Sequence, residues 1–150
     1  MGVDGSMVDD VDSDDDFDAQ YPERWRRASP RFWTPVGVAE LGATWLVEDG
    51  AKRVPDVGSG VGKFCIVGAR VTDASFVGIE HRYSLVVVAR SSALSAGVGA
   101  RTRFIHPEGS VPLMRGHSAI YLFNPFGENL YARSSRLDED VELGQKRFCR

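Results

Sequence analysis

Arg53-Val-Pro-Asp-Val-Gly-Ser-Gly-Val-Gly-Lys-Phe64 is the stretch from which the rest of the chain can be read. An apolar run with Val54 and Val57 leads into Gly58, Gly60 and Gly62. Phe64, Ile66, Val67 and Val71 then follow a helical apolar pattern. The pattern predicts a strand over 53–57, a tight glycine turn, and a helix over about 61–71. Such a turn brings bare backbone N–H groups and a helix N-terminus up to a ligand, and a Cβ would block that approach.

Three ligand readings of the turn compete. A P-loop needs a glycine five positions before Gly62 and a hydroxyl after Lys63. Val57 and Phe64 stand there, so that reading fails. A dinucleotide fingerprint needs Gly-x-Gly-x-x-Gly, and this turn is one residue short. The third pattern, the S-adenosylmethionine turn Asp-x-Gly-x-Gly-x-Gly, fits at every position from Asp56 to Gly62. A glycine turn with no ligand stays open on this stretch alone.

The chain's 150 residues, 43% of them hydrophobic, allow one domain with a real core. No apolar run is long enough to span a bilayer, and the acidic start is the opposite of a secretory leader. Cys65 and Cys149 are far apart, and His81, His106 and His117 form no pair at zinc spacing. A cytoplasmic protein without a metal is the expectation. Net charge is −3, unevenly spread. Residues 1–18 hold eight aspartates and no basic residue, so the remainder carries 18 basic against 13 acidic side chains, or +5. That balance suits an anionic partner, or a solvated arginine-rich surface.

Residues 1–18 read as an acidic disordered tail, and 19–150 as the folded domain. In AQYPERWRRASPRFW (19–33), Tyr21, Trp25, Phe32 and Trp33 are read as packing onto the domain, with base stacking as the alternative. Thr34-Pro35 supplies an N-cap and a first-turn proline for a helix over 35–48, with Val36, Val38, Ala39, Leu41, Trp45 and Leu46 towards the core. Strands are expected at 76–79, 102–105 and 119–123, and helices at about 84–96 and 137–150. Alternation of this kind predicts a Rossmann-like parallel α/β sheet with helices on both faces. Gly58–Gly62, Glu80 and Asn124 all fall at carboxyl ends of expected strands, where such sheets bind ligands.

DVGSGVGKF (56–64), FVGIE (76–80), AIYLFNPF (119–126) and the preceding WTPV (33–36) together resemble a bacterial class I S-adenosylmethionine-dependent methyltransferase. More distantly the chain is similar to the non-SET histone-lysine methyltransferases. The resemblance implies a role for each matched residue. Asp56 orients the cofactor's amino-acid end. Gly58, Ser59 and Gly60 line its methionine and ribose, and Gly62 lets the helix pack on the sheet. Glu80 grips the ribose hydroxyls. Glu108 stands in the loop that binds adenine, where the family more often has Gly-Asp. Asn124 sits beside the methyl group and, with the Pro125 carbonyl, holds a target amine. Family members show Asn-Pro-Pro-aromatic there; this chain has Phe126 in third place.

The family sheet has seven strands, and this chain supplies about four. The expectation is therefore a domain lacking its C-terminal part, with a sheet edge that a partner chain would cover. Methyl transfer to an unidentified acceptor, nitrogen on a protein or small molecule ahead of nucleic acid, is one function. A non-catalytic remnant or nucleotide-binding interaction module of the same fold is the other. A nicotinamide oxidoreductase ranks third, because the glycine spacing opposes it.

Overall fold

A computed structural model of the chain describes residues 13–107 and 117–123. Its elements run α1 (Asp14–Asp18), α2 (Glu23–Arg26), α3 (Ser29–Phe32), α4 (Val36–Glu48), β1 (Arg53–Val57), α5 (Lys63–Val71), β2 (Ser75–Ile79), α6 (Tyr83–Ser95), β3 (Thr102–Ile105) and β4 (Tyr121–Leu122). The four strands form one parallel sheet in the order β3-β2-β1-β4. The sequence order reverses between β1 and β4, so the switch point lies at the carboxyl end of β1. This is the Rossmann-like α/β architecture that the alternation predicts.

β1 and β2 pair along their full length, Arg53 with Ser75 through Val57 with Ile79. β4 joins β1 only at Asp56 and Val57, past Pro55, which has no N–H to give a ladder. β4 is two residues long rather than the five expected. Its Tyr121 ring stacks on Phe64 at 3.5 Å between centroids, and Phe64 in turn meets Phe76 edge-on. The first helix turn after the glycines thus holds β4 to the sheet.

α4 packs on α5 through small residues. Val36, Ala39 and Ala43 are buried, and a Cβ on Gly68 of α5 would come within 3.1 Å of Ala43. This corrects the expected core face. Val38, Leu41 and Trp45 share the spacing of the buried set, yet Trp45 is 61% exposed and the other two are exposed as well. Close helix contact selects the small stripe and leaves the bulky one outside. Val71, also expected inside, is exposed at the end of α5.

The N-terminal segment is a second correction. Met1–Asp18 was expected to be a disordered tail, but Ser13–Asp18 is structured. Ser13 caps α1 by accepting from the Asp16 N–H, and Phe17 is buried. Residues 1–12 lie outside the described residues. From Ser13 to Trp33 the chain forms a strap of short helical turns whose Phe17, Tyr21, Trp25 and Trp33 join the core. Thr34 does not cap α4 either: no side chain of its own first turn does so. The Val36 N–H is taken by Asp14 Oδ1 at 2.9 Å, a cap supplied by the strap 22 residues upstream.

Candidate cofactor-binding site

The glycine turn is built as a strand-to-helix corner. Gly58, Gly60 and Gly62 all have positive φ, at 79°, 54° and 81°, conformations that side-chain-bearing residues resist. The Gly58 and Ser59 N–H groups donate to the Ile79 carbonyl, tying the turn to the end of β2. Gly62 then donates to Ser59 and begins α5 with no side-chain cap. A Cβ on Gly62 would fall 2.6 Å from the Phe104 ring and 2.9 Å from Ala89. One on Gly60 would fall 2.4 Å from the Trp33 indole nitrogen. Gly62 therefore admits the core, and Gly60 admits the strap.

Glu80 stands at the end of β2 and is 3% exposed. Its Oε2 accepts the Gly60 N–H at 3.0 Å. Its Oε1 accepts the Arg82 N–H at 2.9 Å and lies 3.2 Å from His81 Nδ1. The acidic residue and the glycine turn, 20 residues apart in sequence, are thus hydrogen-bonded. A carboxylate has about four lone-pair directions, so Oε2 has one beyond that used by Gly60. Arg82, also buried, brings a guanidinium nitrogen to 3.6 Å of the same carboxylate.

Asp56, 4% exposed, lies behind the turn. Its bonded partner is the Cys65 thiol, at 3.7 Å. Burial pushes the Asp56 carboxyl up to about 7; the thiol's hydrogen bond opposes this and the Glu80 charge adds to it. The thiol itself is pushed well above its usual range, by burial first and then by Asp56. Asp56 opens onto a narrow pocket shared with Thr34, Ser59, Lys63, Phe64 and the strap's Phe32 and Trp33. Phe123, the residue before Asn124, lines it too. The Ser59 hydroxyl is buried there without a hydrogen-bond partner among the described residues. Thr34 Oγ1 and the Tyr121 hydroxyl, 3.1 Å apart, bridge the N-terminus of α4 to β4 near the same place.

Lys63 was not singled out in the sequence as a site residue, beyond the failed P-loop match. It is 2% exposed, and its Nζ reaches Asp14 at 2.5 Å, Asp18 at 2.8 Å and Ser29 at 3.4 Å. All three partners belong to the strap. Burial raises the Asp14 carboxyl, but its bonds to Lys63 and the Val36 N–H outweigh that and hold it below the usual value. The spacing of Asp14 and Asp18, one helical turn apart, was the available signal; the surrounding aspartates hid it. Glu108 and Asn124 lie outside the described residues. Among the described residues, no helix is long and apolar enough to cross a membrane, and no three side chains are grouped to hold a metal.

No family model matches the chain, and no curated protein matches its sequence. Solved structures do. An RNA methyltransferase from Salinibacter ruber, in complex with S-adenosyl-L-homocysteine, is 29% identical with a TM-score of 0.51. The match covers 59% of this chain and 58% of that one. An O-methyltransferase from Bacillus cereus, also with S-adenosylhomocysteine, is 18% identical with a TM-score of 0.53, over 66% of this chain and 45% of that one. A Geobacter sulfurreducens methyltransferase with the same ligand is 21% identical with a TM-score of 0.51, over 71% and 44%. The chain spans little more than half the length of the first and less than half of the other two. The strand order, the glycine turn and these likenesses together establish that the chain has the Rossmann-like fold of the class I S-adenosylmethionine-dependent methyltransferases.

Proposed function

We propose that the chain binds S-adenosylmethionine at the carboxyl ends of β1 and β2 and transfers its methyl group to an acceptor nitrogen. The observation that carries the reading is the bond between the Gly60 N–H and Glu80 at 3.0 Å. It brings a bare glycine turn and a carboxylate to one point, beside a buried serine hydroxyl with no described partner. Those groups suit a ligand with vicinal hydroxyls and a charged amino-acid end. The likeness to an RNA methyltransferase holding the product form of that cofactor supports it.

The cofactor would supply an activated sulfonium methyl, so the protein's task is alignment and exclusion of water. Glu80 would accept a ribose hydroxyl through the second lone-pair direction of Oε2. Gly60, without a Cβ, would let the chain of atoms between ribose and methionine approach the turn once the Trp33 indole moves off it. Ser59 and Thr34, which line the pocket with Asp56, would hold the amino-acid end, and Lys63 would hold the strap beside it. The residues of this chain would hold the acceptor nitrogen in line with that methyl and keep water out, and the proton lost by the methylated nitrogen would pass to solvent. Asn124, two residues beyond β4 in sequence, is proposed to accept that nitrogen's hydrogen bond together with the Pro125 carbonyl. Glu108 is proposed at the adenine edge.

A second reading, a non-catalytic module of the same fold, draws on the Trp33 indole seated over Gly60, since that ring must leave room for a ligand. Calorimetric titration with S-adenosylmethionine separates the two from no binding at all. The expected result is micromolar binding by the wild type, abolished in Gly60→Arg and weakened at least tenfold in Glu80→Gln. A folded wild-type chain that binds neither S-adenosylmethionine nor S-adenosylhomocysteine overturns the methyltransferase reading and leaves a non-catalytic remnant. Binding without methyl transfer in an acceptor screen leaves the module.

A further inference from the structure

The strap has an outer face that cofactor binding does not use. Its backbone stays helical from Glu23 through Phe32, with Ala28 linking the two short helices by its bond to Trp25 and those it accepts from Arg31 and Phe32. Arg24, Arg27 and Arg31 therefore stand at i, i+3 and i+7 on one side, and all three are exposed. Trp25 and Ser29 point the other way and are buried, Ser29 against Lys63. The rings that the sequence left open for base stacking, Tyr21, Trp25 and Trp33, are thus committed to the core. What faces solvent is guanidinium, with Arg24 lying 4.3 Å over the Trp25 ring. A shallow groove lined by Arg27, Pro30, Arg31 and Phe32 runs along this side. Phe32 also lines the pocket of Asp56 and Ser59, so the arginine groove lies next to the candidate cofactor site.

We infer that this arginine face docks the phosphate backbone of a single-stranded RNA acceptor and lays the strand beside the pocket. The inference rests on the methyl-transfer reading and names its substrate class. At about 1.5 Å of rise per residue the three arginines are spaced about 4.5 and 6 Å along the axis, close to the interval between phosphates of an extended strand. Every basic residue of the 19–33 stretch is arginine, whose planar fork matches phosphate oxygens in pairs. Arg27 is engaged by Glu23, but both are exposed, so a phosphate can displace that carboxylate at little cost. A single strand fits better than a duplex because its bases reach a pocket without being flipped out.

The test is fluorescence anisotropy of a labelled mixed-sequence single-stranded RNA with the full chain, no cofactor present. Three phosphate contacts at about 0.7 ion each give a log–log salt slope near −2, hence roughly a twentyfold loss of affinity between about 50 and 200 mM salt. Arg24→Gln/Arg27→Gln/Arg31→Gln, checked for folding by circular dichroism, is expected to flatten that slope and weaken binding at low salt at least tenfold. Glu23→Gln, which frees Arg27, is expected to tighten binding two- to threefold, a gain that misfolding does not produce. The inference fails if the wild type does not bind RNA at low salt, or if the triple variant keeps the wild-type slope. It also fails if polyglutamate binds the same face as tightly, which would mark a protein-docking surface. Because no cofactor is needed, failure here is visible separately from failure to bind S-adenosylmethionine.

Discussion

Two buried charges flank the glycine turn, and they are treated in opposite ways. In front, Lys63 at the start of α5 is met by two carboxylates and a hydroxyl from the strap. Behind, Asp56 at the end of β1 has, among the described residues, only a thiol at 3.7 Å. A buried ion is tolerable when it is paired and hydrogen-bonded, and costly when it is not. Lys63 is therefore a fastening, holding the strap over the turn. Asp56 stands in a pocket wall with a weak thiol partner, which is consistent with the ligand role proposed for it.

The largest effect should come from removing the fastening. Lys63→Met leaves Asp18 buried without its cation, and breaking a buried pair from one side costs about 3–5 kcal/mol. Urea unfolding should show a midpoint lowered accordingly. Adding Asp18→Asn in the same chain should recover part of the loss, because the orphaned carboxylate is gone. A Lys63→Met chain as stable as the wild type would end the distinction between the two charges.

Asp56 gives the next effect, and it has a sign. A carboxyl whose folded pKa lies above its unfolded value binds more protons folded than unfolded. Its contribution to stability is full below about pH 4 and declines as pH rises towards 7. A rise from 3.8 to about 7 corresponds to at most about 4 kcal/mol. Asp56→Asn keeps the shape and removes the titration, so its stability should vary less between pH 4 and 7 than the wild type's. Urea unfolding at several pH values compares them, and parallel curves for the two proteins would mean that Asp56 is solvated or paired.

The same contrast explains what could be read in advance. Strand–turn–helix order, the parallel sheet and the meeting of Gly60 with Glu80 follow from local patterns: three glycines at fixed spacing, and short apolar runs ending in a polar residue. The fastening does not. Asp14 and Asp18 look like two more charges in an acidic run, and only the fold shows that they face a buried amine 45 or more positions away. The core face of α4 was misjudged for a related reason. Two stripes with identical spacing were present, and packing against Gly68 of α5 chose the one with alanines. Periodicity gives the period, while the partner's shape selects the face.

The glycines carry the comparison to its smallest expected effect. Gly62 faces the core side of the turn and Gly60 the strap side. At Gly62, alanine meets the Phe104 ring at 2.6 Å and Ala89 at 2.9 Å while φ stays positive, so backbone strain and overpacking add to about 2–3 kcal/mol. At Gly60, the obstacle is the buried Trp33 indole at the end of the strap, so the displacement falls on the strap rather than on the sheet. Gly60→Ala should therefore cost only about 1 kcal/mol, mostly from the backbone conformation. Its signature should be local: a shift in tryptophan fluorescence, absent when Trp33→Phe is combined with it. Equal losses of stability at the two glycines would mean that the strap is as rigid as the core, and that the Lys63 fastening makes it part of the domain rather than a cover laid on it.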